Sequence, residues 1–364
     1  MPPRFVPGLD LARRFYHQAV RPVLDTAWPD LPHSAALIGP GSEVLGFDTE
    51  RSTDHDWGPR LLLFLHPADR AEHGKQLDDL LARRLPTSFA GYSTNFAPAD
   101  ARVQVMTPAS GPVRHRVAIT DLPTWSDAQL GFDPRRDVSP LDWLATPTQR
   151  LAEVTGGAVF HDGLEELDSA RDRLRWYPHD IWLYVLACQW QRLAQEEAFV
   201  GRCTEAGDEI GAAVVTARLV RDLMRLHLLQ HRRYPPYSKW LGSALNRLPA
   251  ADALTTPLAQ ALTTIGRTRQ EHLCHAYSSA ATVHNRLGLT EPIDPTPRPY
   301  HDRPFHVLRA DRFTTALLGR ITDPNIAALP VVGAIDQFAD NTDLLGHPQQ
   351  CRAITGAALG NHGH

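Results

Sequence analysis

Hydrophobic spacing divides this chain into two kinds of sequence, and that division limits its folds more than any other feature. Up to about residue 164, short apolar runs at 35–38, 60–65 and 157–162 are set among helix-spaced stretches. Leu11, Phe15, Ala19 and Val23 form one row of a helix over 9–25, with Ala12, Tyr16, Val20 and Leu24 beside it. Pro67 opens a second helix to about Arg84, whose buried stripe is Leu77, Leu80, Leu81 and Leu85. Residues 102–106 and 113–119 read as strands around a proline turn at 108–112, and 143–154 as a helix. From about 165 the spacing is helical alone, over 181–199, 210–231, 236–248, 251–265 and 267–287. A proline-rich connection, 291–304, then leads to a strand-like 305–308, a helix over 311–321 and short elements to about 346. The expected architecture is therefore α+β: a mixed-sheet domain over 1–164, a helical bundle over 165–290, a small α/β extension over 291–346 and a disordered tail over 347–364.

Composition narrows the function classes. With 43% apolar and 21% charged residues in 364, the chain has the balance of a soluble globular protein. A net charge of only −4 offers no global basic field, which argues against long nucleic acid as a partner. Cys188, Cys203, Cys274 and Cys351 lack paired spacing, so neither a disulfide framework nor a structural zinc site is expected. Met1-Pro2-Pro3-Arg4 lacks the apolar core of a signal peptide, and no run reaches membrane-spanning length. A cytoplasmic location with no membrane partner is the expectation. The basic residues are nearly all arginine, Lys75 and Lys239 excepted.

One stretch of the first domain carries chemistry. Ile38-Gly39-Pro40-Gly41-Ser42 is followed, after eleven intervening residues, by Asp54-His55-Asp56. On a strand, Asp54 and Asp56 would point to one face, where two carboxylates repel unless a cation lies between them. A divalent metal gripping nucleotide phosphates resolves that repulsion. The Gly41-Ser42 turn would offer backbone N–H groups and a short helix start to the same phosphates, with Ser52 just before the acids as a further contact. Trp57-Gly58-Pro59 interrupts the strand before it resumes at Arg60, and a proline there implies an edge or a bulge.

This pattern of a hydrophobic residue, a Gly-Ser pair, about a dozen residues and Asp-x-Asp resembles the nucleotidyltransferase superfamily with the polymerase-β-type fold. The resemblance implies a nucleotidyltransferase-like head, with Asp54 and Asp56 holding Mg²⁺ and Gly41 and Ser42 cradling the phosphates of an NTP, ATP being the expected one. Many such enzymes carry a third carboxylate in a later strand. Here Val113-Arg114-His115-Arg116-Val117-Ala118-Ile119 holds no acid, and Asp121 lies just beyond it. Either Asp121 serves, or two carboxylates suffice, or activity is impaired.

A second resemblance covers about residues 30–345. It rests on Ser52-Thr53-Asp54-His55-Asp56-Trp57-Gly58-Pro59-Arg60, on Gln195 to Arg202, on Gly207 to Gly211, on Arg218 to Leu226, on Arg232 to Leu241 and on Gly333 to Phe338. Together they look like the bacterial family labelled domain of unknown function 4037. That resemblance implies a nucleotidyltransferase head beside a helical partner domain, as in aminoglycoside nucleotidyltransferases, with nucleotide and acceptor in the cleft between them. On that analogy Arg202 and Lys239 are candidates for triphosphate contacts and Tyr237 for positioning the base. Glu197 and Asp208 stand near helix ends, where capping is the usual role of an acid and activation of an acceptor hydroxyl the rarer one. Arg221 and His227, and the run His272-Leu273-Cys274-His275, resemble other motifs by chance or lie off a common helix face. The expected function is transfer of a nucleoside monophosphate to a small hydroxylated molecule or a protein side chain. The alternative is a non-catalytic nucleotide-binding regulatory or antitoxin-like module.

Overall fold

The computed structural model describes residues 4–98, 101 and 103–360. The chain is α+β and divides into two compact units, 1–138 with 150–175 and 139–149 with 176–364. The first unit opens with α1 (Gly8–Phe15), which passes through a π-helical turn, Tyr16–Val20, into α2 (Arg21–Ala27). Next come β1 (Ser34–Leu37), β2 (Arg60–Phe64), α3 (Pro67–Arg84), the short pair β3 (Ser88–Phe89) and β4 (Tyr92–Ser93), β5 (Arg116–Thr120) and α4 (Leu122–Leu130). After α5 (Pro140–Ala145), the unit ends with α6 (Thr148–Thr155), β6 (Ala158–Asp162) and α7 (Leu167–Arg173). The four-stranded sheet has the order β5-β2-β1-β6. β1 runs antiparallel to β2 and β6, and β2 runs parallel to β5 with Arg60 opposite Arg116 and Phe64 opposite Thr120. Phe15, Tyr16 and Leu24 of the first helices, Leu77 and Leu81 of α3, and Ala35, Leu61, Leu63 and Val117 of the strands share one core. Leu77, Leu81 and Leu85 of the expected stripe thus anchor α3, while Leu80 is only partly buried.

In the second unit α8 (His179–Glu196) is buried at every residue from Ile181 to Trp190, the mark of a helix surrounded by others. α9 (Phe199–Glu205), α10 (Glu209–Gln230), α11 (Ser238–Asn246), α12 (Asp252–Thr263) and α13 (Gly266–Arg286) follow. A two-stranded ribbon, β7 (Arg298–Pro299) and β8 (His306–Val307), then leads to α14 (Asp311–Leu318), α15 (Pro324–Ala327), α16 (Ile335–Phe338) and α17 (Pro348–Ala358). Trp190 stacks on Phe313 at 4.3 Å between centroids. Glu197 and Asp208 are caps: Glu197 accepts the backbone N–H groups of Leu308, Arg309 and Ala310, and Asp208 accepts that of Gly211. α5 belongs with this unit, where Asp142 pairs with Arg352 of α17. Among the described residues, no helix is long and apolar enough to cross a membrane.

Gly201 on α9 shows how closely this unit is packed. A Cβ built there would lie 2.3 Å from Cγ of the buried Phe305 ring. Gly201→Ala is expected to cost about 1–3 kcal/mol through overpacking, read as a shift in urea midpoint at constant slope.

Several expectations need correction. The strand over 102–106 reduces, among the described residues, to one bridge between Met106 and Phe96, and Arg102 itself lies outside them. The helix over 143–154 breaks at Thr146, which is extended before Pro147 as a residue preceding proline prefers. The tail over 347–364 is not a disordered segment as far as residue 360: α17 occupies it, with Cys351 and Thr355 fully buried. Residues 361–364 of that tail, like Met1, Pro2 and Pro3, lie outside the described residues.

Candidate functional site

The turn after β1 is fixed from three sides. The Gly39 N–H donates to the Glu153 carbonyl at 2.8 Å, the Gly157 N–H to the Val44 carbonyl at 2.8 Å, and the Phe47 N–H to the Ser42 carbonyl at 2.8 Å. The expected helix start after Gly41-Ser42 is not there; residues 42–46 make a single turn and the chain then extends. Too few N–H groups are closed by that turn for a helix to propagate. The consequence is chemical. Among the described residues, the backbone N–H groups of Ser42, Glu43 and Val44 donate to no partner, and neither does the Ser42 hydroxyl. Successive N–H groups without partners are the raw material of an anion-binding turn.

Beneath the turn lies an ion pair. The Glu43 side chain is 1% exposed and meets Arg60 at the start of β2, with Nε 2.8 Å and Nη2 2.6 Å from Oε1. Arg60 Nη2 also donates to the Pro40 carbonyl at 2.8 Å, so one guanidinium staples both ends of the turn. Glu43 Oε2 is buried with no partner among the described residues. Gly41 stands at φ +154°, and a Cβ there would meet Arg60 Nη2 at 2.3 Å and Glu43 Oε2 at 2.8 Å. Only glycine leaves room for the staple.

Asp54 and Asp56 do not lie on a strand, contrary to the alternation read from the sequence. Glu50–Asp54 is a 3-10 turn, His55 is extended, and Asp56 has φ 48°, a left-handed conformation an aspartate tolerates. The cause lies in Trp57-Gly58-Pro59. Trp57 is buried with its Nε1–H on Asp48 at 3.2 Å, Gly58 has φ +131°, and Pro59 has no N–H for a ladder, so β2 begins only at Arg60. Asp54 is open to solvent and contacts His55 Nδ1 at 2.9 Å. Asp56 is half-exposed; its Oδ1 accepts the Gln104 N–H at 3.2 Å and faces Arg116 Nη1 at 3.4 Å. Burial, and then the neighbouring charge of Arg60, lower the pKa of Arg116 against the opposing pull of Asp56 and Glu43. The structure thus joins Gly41 to Asp56 through Arg60 and Arg116. Glu43, Arg60 and Arg116 were missed as site residues, although an arginine at the head of the apolar run Leu61-Leu62-Leu63-Phe64 was the available signal.

Asp121 has another task than a third metal-holding acid. It is the N-cap of α4, accepting the Thr124 N–H at 2.8 Å and the Thr124 hydroxyl at 3.0 Å, and it pairs with Arg70 at 2.7 Å. Burial alone would raise its pKa; the Thr124 N–H, Arg70 and the Thr124 hydroxyl outweigh burial and hold it below the usual carboxylate range. It is also remote from Asp56. Arg116, which reaches Asp56, opens β5, and Asp121 follows the last residue of that strand. Five residues at about 3.3 Å each put roughly 16 Å of strand between them.

The remaining candidates have contacts of their own. Ser52 closes the 3-10 turn, accepting the Thr49 N–H at 3.0 Å through its hydroxyl. Arg202 on α9 is exposed above the Phe199 ring, 5.9 Å from its centroid. Tyr237 is exposed at the head of α11, its N–H on Gln149 at 2.9 Å, and Lys239 is exposed with Nζ 4.8 Å from the Trp240 ring centre. No group of three or more His, Cys, Asp or Glu placed to hold a metal occurs among the described residues. For Mg²⁺, the donors at Asp54 and Asp56 are the right kind, hard carboxylate oxygens open to solvent. Two such carboxylates do not make a closed protein cage.

Residues 143–241 match the family model described as Domain of unknown function (DUF4037). Comparison with curated proteins gave no match. Among solved structures, a nucleotidyltransferase-like protein from Exiguobacterium sibiricum 255-15 aligns with 84% of this chain and 89% of its own, at 13% identity and a TM-score of 0.32. A likeness at that TM-score is too slight to carry an argument about this chain.

Proposed function

We propose that the first unit binds a nucleoside triphosphate by its phosphates at the Gly41–Val44 turn, and that the protein is a Mg²⁺-dependent nucleotidyltransferase. It would move a nucleoside monophosphate, from ATP in the first instance, to a hydroxyl of a small molecule or protein side chain and release pyrophosphate. The supporting observation is the run of unpartnered N–H groups at Ser42, Glu43 and Val44, beside the Glu43–Arg60 pair that leads through Arg116 to Asp56. The turn holds the phosphates without rearrangement, because Arg60 already fixes it. Arg116 needs only to leave a 3.4 Å contact to set its charge on a phosphate oxygen. Asp54 and Asp56 would hold the ion. When bound, Mg²⁺ neutralises phosphate charge and makes the attacking hydroxyl more acidic. Arg202, Tyr237 and Lys239 stay as proposed nucleotide contacts, tested by alanine at each.

The experiment is incubation with labelled ATP and other NTPs, Mg²⁺ and hydroxylated acceptors, with pyrophosphate measured. Asp54→Asn and Asp56→Asn are each expected to lower release by about a hundredfold or more, with an unchanged melting temperature because both side chains are exposed. Release that persists in both variants would sink the assignment.

A second reading, the non-catalytic nucleotide sensor, is favoured by one observation: Asp121, the nearest acid in sequence to the expected third position, is consumed as a helix cap. Saturable ATP binding with no pyrophosphate from any acceptor would select that reading.

A further inference from the structure

The nucleotide reading leaves the first half of α10 without a role. Ala212, Thr216, Leu219, Val220 and Leu223 of this helix face the interior of the second unit and are buried. Ile210, Ala213, Val214 and Ala217 follow one another at helical spacing on the opposite face, and all four are exposed. Ile210 is 81% exposed and Val214 57%. Farther along, the same face is covered: Arg221 pairs with Asp340 at 2.6 Å and Arg225 with Asp336 of α16 at 2.9 Å. A helix that is apolar on both faces belongs inside a packed assembly.

The apolar patch extends beyond α10. Arg269 of α13 donates from Nη1 to Glu209 at 3.1 Å and from Nε to the Thr264 carbonyl at 2.9 Å. The next residues in the chain, Ile210 and Ile265, therefore flank one guanidinium, and Ile265 is 69% exposed. Leu262, in the last turn of α12, is 51% exposed. Four of the nine large apolar side chains exposed among the described residues thus gather at this end of the bundle, a concentration that marks a contact surface.

Two features select a second copy of the chain as the occupant. The charges around the patch are already matched, Glu209 with Arg269, Arg267 with Glu271 at 3.0 Å and Arg218 with Glu196 at 2.6 Å. The rim therefore calls for neither an acidic nor a basic partner. The stripe also complements itself. Antiparallel pairing about the midpoint between Ala213 and Val214 sets Ile210 level with Ala217 of the second copy and Val214 level with its Ala213, large against small.

We propose that the first half of α10 is the interface of a two-fold dimer, in which this stripe packs antiparallel on its own copy. Sedimentation equilibrium of the full chain over a range of concentrations is the test. The wild-type chain is expected at twice its own mass, dissociating on dilution. Val214→Arg brings two like charges together beside the axis and should weaken association about a hundredfold or more. Ile265→Arg, at the border of the patch, should weaken it about tenfold. Ala213→Cys, close to the axis, should form an intermolecular disulfide under mild oxidation that the wild-type chain does not form. A wild-type chain that is monomeric at every concentration overturns the proposal and leaves the face to a partner of another sequence. So does a dimer that both arginine variants leave intact, or an Ala213→Cys chain that does not cross-link.

Discussion

Gly41→Ala is expected to abolish nucleotide binding and to destabilise the first unit by about 3–5 kcal/mol, the scale for breaking a buried ion pair. The reasons are separable. At φ +154° an alanine is strained whatever space surrounds it, and here there is none, since its Cβ would fall 2.3 Å from Arg60 Nη2. Arginine side chains usually yield, but this one is held by Glu43 and by the Pro40 carbonyl, and moving it leaves the Glu43 carboxylate buried without a counter-charge. The turn then loses the staple that ties Pro40 to Glu43 on either side of Gly41 and Ser42. Gly111→Ala is the control: a Cβ there meets nothing within 4 Å, and its effect should stay within about 0.5 kcal/mol. Urea denaturation and ATP titration of the two variants check the result. A Gly41→Ala protein with wild-type stability and affinity would show that the staple does not shape the site.

Elements that announce themselves through periodicity were legible in the sequence. α3 runs over the expected residues, and the helices of the second unit fall close to their expected bounds, because apolar rows three and four apart have one economical arrangement. β1 and β6 were equally plain. Asp54 and Asp56 were misplaced because Asp-x-Asp reads as alternation whether or not a strand carries it. What decides the matter is long-range: Trp57 must reach the core and bond Asp48, and the backbone turns through Asp56 and Gly58 to allow it. The Glu43–Arg60–Arg116 cluster was hidden for a related reason. Its members are seventeen and fifty-six residues apart, and only the pairing of β2 with β5, in register from Arg60 and Arg116, brings the two arginines together. α17 was mistaken for a tail because its buried face is short, resting mainly on Cys351, Thr355 and the Arg352–Asp142 pair. Weak amphipathicity at a chain end looks like disorder until the surface it covers is known.

The second unit should lose about 2 kcal/mol of stability between pH 6.5 and pH 4.5. Two buried histidines drive the loss. His284 is fully buried against Trp190 and Phe313, and burial pushes its pKa down to about 4. His227 is brought down to about 4 by burial and then by the neighbouring His231, against the hydrogen bond to Gln230. Both fall below their ordinary value of 6.5, so between about pH 4 and 6.5 the unfolded chain binds protons that the folded chain refuses. Falling pH therefore favours unfolding, by about 1.4 kcal/mol per pH unit for each group. Glu197 acts in the other direction. Burial raises it to about 7 from 4.5 in spite of the N–H groups of Ala310, Leu308 and Arg309, so over its window the folded chain binds the extra proton and falling pH favours folding. Two histidines against one glutamate leave nearly one net proton in mid-window and less toward its ends, which over two pH units gives the stated loss. His227→Gln should flatten the profile between pH 6.5 and 4.5, because one histidine then balances Glu197. Glu197→Gln should steepen it to two protons. Guanidinium midpoints at pH 6.5, 5.5 and 4.5 for the wild-type chain and these two variants measure both slopes. Identical slopes in all three proteins would mean that the buried groups titrate alike in the folded and unfolded chains, and that acid acts on this unit through its surface carboxylates.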